Sequence, residues 1–164
     1  MKHLFSEAFR SELSSAKVIA TATISKVEDA VPIGEALLSG GINTIEVTLR
    51  TPEALGAMET LADNLPEINI IAGTVIELDQ VSQVMDAGAT CGVSPGLNQR
   101  IIKKALELEF PFAPGIATPS EIEQGLEFGC NIFKFFPSEN LGGVDFLESM
   151  YKPYAHKGVQ FIPL

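Results

Sequence analysis

Apolar positions along the chain switch repeatedly between a helical spacing and the two-residue alternation of a strand. Residues 26–39 place Val27, Ala30, Val31, Gly34, Leu37 and Leu38 at helical intervals, and Gly40-Gly41 stops the run. Residues 42–49 then alternate Ile45, Val47 and Leu49 against Thr44, Glu46 and Thr48, the pattern of a strand. The unit recurs. Leu55, Met58, Leu61 and Leu65 predict a second helix before a buried strand at 69–73, and Leu78, Val81, Val84 and Met85 a third that ends at Gly88 ahead of a strand at 91–93. Leu97, Ile101, Ala105 and Leu108 predict a fourth helix followed by a strand at 111–114. Ile122 and Leu126 mark a fifth, stopped by Gly129, that feeds a strand at 131–136. A weaker sixth helix covers 142–156 before a last strand at 159–163, and residues 17–24 supply the first strand.

Strands recurring roughly every 20–27 residues and alternating with helices build a parallel sheet. Such a sheet either stays open or closes into a barrel. Open doubly wound sheets that bind dinucleotides carry a glycine-rich turn after the first strand, whereas residues 20–29 here read ATATISKVED, without glycine. A (β/α)8 TIM barrel is therefore expected. Barrels of this type need at least about 200 residues, and this chain has 164. The expectation is one barrel domain over residues 1–164, truncated after about seven strands, with the C-terminal βα unit or units missing and some 40–50 residues needed to complete it. A fragment, an incompletely ordered chain and a sheet closed by a partner all fit that count.

At 46% apolar and 20% charged residues, the chain has the composition of one ordinary globular domain. Its formal charge of −10 gives no whole-chain footprint for nucleic acid or an anionic membrane, so an anionic substrate must be held by a local site. Cys91 and Cys130 lie far apart without a CxxC pair, and His3 and His156 sit near opposite ends, which argues against a structural zinc or a disulfide framework. No apolar run approaches the length of a bilayer span, and Glu7, Arg10 and Glu12 interrupt any leader-like stretch. A reduced, cytoplasmic setting is expected.

In a βα barrel the working residues stand at the C-terminal ends of strands. That rule selects Glu46, Thr48 and Arg50, then Gly73 and Thr74, Ser94 and Pro95, residues 114–118, and Lys134 with Phe136. Lys134 is the most informative, because it interrupts the apolar run Asn-Ile-Phe-Lys-Phe-Phe-Pro. Alternation puts Ile132, Lys134 and Phe136 on one face and Phe133 and Phe135 on the other. An interior lysine loses hydration, which favours its free amine over its ammonium, and a free amine attacks a carbonyl carbon to form a Schiff base. The plainer alternative is a structural lysine paired with a carboxylate. Glu46 shares a polar face with Thr44 and Thr48, where it either exchanges protons with a substrate or merely neutralises Lys134 or Arg50. Arg50 has the geometry to hold a carboxylate or phosphate, or else pairs with Glu53 on the surface. Thr74 follows a glycine that allows close approach of ligand or backbone, and reads either as a donor to a carboxylate or as the cap of the next helix. Ser94 has no nearby histidine to activate it. Asp79, Asp86, Glu121 and Glu123 read as solvated helix charges, and the two cysteines as small buried residues.

The strings IEVTLR, AGTV, VSPG, PGIATPSE and FKFFPSE, in that order and at these intervals, resemble the 2-keto-3-deoxy-6-phosphogluconate (KDPG)/4-hydroxy-2-oxoglutarate (KHG) aldolase family. The resemblance covers essentially the whole chain and implies a class I, Schiff-base pyruvate aldolase, a carbon–carbon lyase of Entner–Doudoroff carbohydrate metabolism. It also implies a helix at about residues 3–15 plugging the barrel's bottom. Lys134 is then the nucleophile and Glu46 the proton shuttle. Arg50 and Thr74 bind the anionic ends of the substrate, the pyruvyl carboxylate near Thr74, while Pro95 and Phe136 line an apolar wall. The implied partner is a small 2-keto acid, the implied assembly a homotrimer, and no metal or cofactor is implied. The family's phosphate-cradling Gly-Gly turn belongs just beyond Val-Gln-Phe-Ile-Pro-Leu, where this sequence stops. Two competing readings are a phosphate-binding barrel lyase or isomerase without a covalent lysine, and an inactive truncated barrel.

Overall fold

The computed structural model describes residue 5 and residues 7–164. Strands β1 (Ala20–Ala22), β2 (Thr44–Thr48), β3 (Asn69–Gly73), β4 (Cys91–Val93) and β5 (Phe112–Ala113) form one sheet in chain order, and β6 (Gly115–Ile116), β7 (Ile132–Phe135) and β8 (Gln160–Pro163) form a second. All their pairings are parallel. The strand expected at 111–114 is thus two short strands flanking Pro114. Proline has no N–H to give a ladder, so the chain changes partner there. Residues before it pair with β4, those after it pair with β7, and the Pro114 carbonyl accepts from Lys134 N–H at 3.0 Å.

Helices α2 (Ala30–Ser39), α3 (Ala54–Asn64), α4 (Gln80–Asp86), α5 (Gln99–Glu107), α6 (Pro119–Glu127) and α7 (Gly143–Tyr151) fall between the strands. Two of them are shorter than their apolar spacing suggests. The run from residue 26 opens as a 3-10 turn at Val27–Asp29, which leaves Pro32 inside the first turn of α2, where its missing N–H does no harm. The weak helix expected at 142–156 gives way after Tyr151 to a 3-10 segment, Lys152–Lys157, which holds Pro153 near its start.

Alternation along β7 has the expected outcome. Phe133 and Phe135 face the helices: a methyl at Gly125 of α6 would stand 2.3 Å from the Phe133 ring, and Phe135 stacks on Phe146 of α7 at 6.0 Å. With Phe112, Ile45, Met58 and Leu61 they belong to a fully buried core between sheet and helices. The opposite face looks inward, where register sets Thr21, Glu46, Ile71 and Cys91 in one row and Gly115, Lys134 and Ile162 in another.

Strand β1 pairs with β2 alone and β8 with β7 alone, so among the described residues one side of the wall is unpaired. A cavity of about 560 Å³ opens there, lined among others by Thr21, Glu46, Ile132 and Phe161. Helix α1 (Glu7–Ala16) lies along this side at the foot of β8. Its Arg10 donates from Nε to Gln160 Oε1 at 3.1 Å and from Nη2 to the Gly158 carbonyl at 2.9 Å, and Gln160 Nε2 donates to Ser14 Oγ at 3.2 Å. Of the helix expected at 3–15, residues 3, 4 and 6 lie outside the described residues. No helix among the described residues is long and apolar enough to cross a membrane.

Candidate active site

Lys134 is carried by the middle of β7 and is 3% exposed, a burial that an ammonium or amine tolerates only with a partner. The partner is Glu46, from the middle of β2 and equally buried. Lys134 Nζ donates to Glu46 Oε1 at 2.8 Å and to Oε2 at 3.0 Å, a bond across 88 positions of sequence. The two alternatives posed for these residues are therefore one arrangement, since the carboxylate that neutralises the lysine is also the group in reach of its proton. Phe136, half-buried just past β7, sets its ring 5.6 Å from the same nitrogen. A ring face there favours the positive charge by cation–π attraction.

Above Glu46 on the same strand face, buried Thr48 shares a 2.9 Å hydrogen bond with Thr23 Oγ1 and lies 3.3 Å from the Ala22 carbonyl. Arg50 stands exposed beyond the end of β2. It makes no ion pair with Glu53 among the described residues, and its Nε donates to Thr74 Oγ1 at 3.4 Å instead. Thr74 does not cap the next helix, which begins at Gln80 with Asp79 in the cap position. It holds a φ of 62°, in the left-handed region that a β-branched residue rarely enters. That backbone turns its hydroxyl toward Arg50.

Pro95 stands at the rim beside Gly115, the register partner of Lys134. It is exposed, rests against the backbone of Gly115, and lines a separate groove of about 220 Å³ with Val75, Ile76 and Ser94. Ser94 Oγ donates to the Gly96 carbonyl at 2.7 Å and holds the turn. Glu121 is no idle surface charge: with Thr118 it forms a capping box, its Oε2 accepting from Thr118 N–H at 2.9 Å and from Ala117 N–H at 2.8 Å. Burial, and then the Glu46 charge, push the Cys91 thiol far up, and burial pushes Cys130 up to about 12. Both are unsuited to act as thiolate nucleophiles.

A parallel βα barrel in which a buried amine shares a proton-bearing contact with a carboxylate is built for carbonyl chemistry through that amine, which is the class of the Schiff-base aldolases. The chain belongs to the KDPG and KHG aldolase family, whose model matches residues 9–164. It is 42% identical over 151 residues to the 2-dehydro-3-deoxy-phosphogluconate aldolase of Treponema pallidum, a match spanning 92% of this chain and 71% of that one. With the KHG/KDPG aldolase of Escherichia coli K12 the identity is 40%, over 92% of this chain and 70% of the relative. The KDPG aldolase of Legionella pneumophila, solved with pyruvate captured as a covalent carbinolamine intermediate, superposes with a TM-score of 0.83 at 41% identity, covering 88% of this chain and 69% of that one.

Proposed function

We propose that this chain cleaves KDPG or KHG reversibly into pyruvate and an aldehyde, glyceraldehyde 3-phosphate or glyoxylate, with Lys134 as Schiff-base nucleophile and Glu46 as proton shuttle. The observation that carries the reading is the buried 2.8 Å contact between Lys134 Nζ and Glu46 Oε1. Passing one proton from Nζ to the carboxylate leaves a free amine and a carboxylic acid. The amine attacks the C2 carbonyl and the acid returns the proton to the carbinolamine oxygen; the carboxylate then relays a second proton from the nitrogen to that hydroxyl, and water leaves to give the iminium. A base then removes the C4 hydroxyl proton, the C3–C4 electrons move into the iminium, and the aldehyde departs from an enamine of pyruvate. Protonation at C3 and hydrolysis release pyruvate and regenerate the amine.

Arg50 and Thr74, joined at the mouth, are proposed to receive the anionic ends of the substrate, the pyruvyl carboxylate near Thr74. Phe136 supplies apolar wall beside the iminium, where a ring face also favours its positive charge. Pro95 is proposed to complete that wall from the far rim. One barrel domain over residues 1–164, a homotrimer and a cytoplasmic setting complete the proposal. The family match over residues 9–164 supports the single barrel domain, and two free, buried cysteines agree with a reducing compartment.

Borohydride reduction in the presence of pyruvate, followed by peptide mass spectrometry, tests the assignment. A reduced pyruvyl adduct is expected on Lys134, and it should be absent from Lys134→Arg, which should also lose aldol cleavage. No adduct on Lys134, or cleavage retained by Lys134→Arg, would favour a barrel lyase without a covalent lysine.

A further inference from the structure

Gly73 closes β3 in register with Thr48, two positions along the same strand face from Glu46. Its φ lies outside the left-handed region, so the backbone itself does not call for glycine. A glycine in a strand interior weakens the strand and marks a close approach. What approaches here is the Glu46 side chain. A Cβ on Gly73 would stand 2.3 Å from Oε1, 2.7 Å from Cγ and 2.8 Å from Cδ of Glu46, all well inside the roughly 3.5–4.0 Å of comfortable contact. Oε1 is also the oxygen 2.8 Å from Lys134 Nζ. The added carbon would therefore displace the atom that holds the amine.

We propose that Gly73 is a positioning residue: its bare Cα is the seat on which the Glu46 carboxylate rests, and that seat keeps both carboxylate oxygens on Lys134. The catalytic half of this inference rests on the roles assigned above to Lys134 and Glu46. The steric half does not. A buried carboxylate held by one bidentate contact still has rotamers that leave its partner. The bare Cα next to it removes the obstacle to the one rotamer in which both oxygens face Nζ.

Gly73→Ala tests both halves. Displacing a catalytic group by about 1 Å lowers turnover by about 10²-fold, so kcat per folded molecule, and the rate of borohydride trapping with pyruvate, are expected to fall by that factor with KM little changed. A general loss of packing would instead lower the fraction of folded enzyme and leave its turnover intact. Urea unfolding of Gly73→Ala is measured both in the otherwise unchanged chain and together with Glu46→Ala. The destabilisation is expected in the first and absent in the second, because removing the Glu46 side chain vacates the space. If Gly73→Ala fails to fold alone but folds with Glu46→Ala, the contact is equally demonstrated. Equal cost in both backgrounds, failure to fold in both, or kcat retained by the single variant would each overturn the proposal. Should the unchanged enzyme form no adduct on Lys134, the reading of function fails, while the unfolding comparison still decides whether Gly73 seats Glu46.

Discussion

Lys134 and Glu46 place two charges in an interior whose other buried polar groups are uncharged, so neither is tolerable without the other. Lys134→Met strands the carboxylate, with an expected loss of about 3–5 kcal/mol, whereas Lys134→Met combined with Glu46→Gln, which removes both charges, is expected to recover most of it. Urea midpoints of the two single variants and the double variant check this, and simple additivity would show the pair to be uncoupled. Lys134 was legible in the sequence because it interrupts an apolar run, and Glu46 because it stands on a polar strand face that a barrel turns inward. Gly73 was legible as a glycine but not as the neighbour of Glu46, because that proximity comes from the β2–β3 register and the length of a glutamate side chain. Cys91 likewise reads from sequence as a small buried residue. Its place in the row of Glu46 appears only once the strands are aligned.

Among the elements, glycine stops and apolar spacing located every helix between strands, since those signals are local. Strand continuity at 111–114 was not legible. Whether a proline bends a strand or divides it between two partners depends on which carbonyls and amides face it across the sheet, and here Lys134 N–H faces Pro114. The start of α6 shows the same dependence in a single turn. Thr118 and Glu121 satisfy each other's backbone donors, and Pro119 begins the helix where no donor is needed. Thr118→Ala should therefore cost about 1 kcal/mol in equilibrium unfolding, with aldol cleavage intact. An unchanged midpoint would show that the packing of α6 on Phe133 suffices alone.

Across the whole molecule, stability is unevenly placed. Strands β2 and β3 are paired on both sides and fully buried, while β1 and β8 each keep one unpaired side facing the cavity that reaches Glu46. Amide hydrogen exchange is expected to be fastest, among the strands, in β1 and at residues 160–162 of β8, and slowest in β2 and β3. Uniform protection would mean that the open side is closed in solution. The barrel class was legible from the strand period and the missing glycine-rich turn. The clasp of Arg10 on Gln160 was not, since nothing local links positions 150 residues apart. That clasp sets an order of events during synthesis. The first helix emerges from the ribosome long before the strand it grips, and must wait, its arginine without its carbonyl and amide partners, until nearly all the intervening chain has been made.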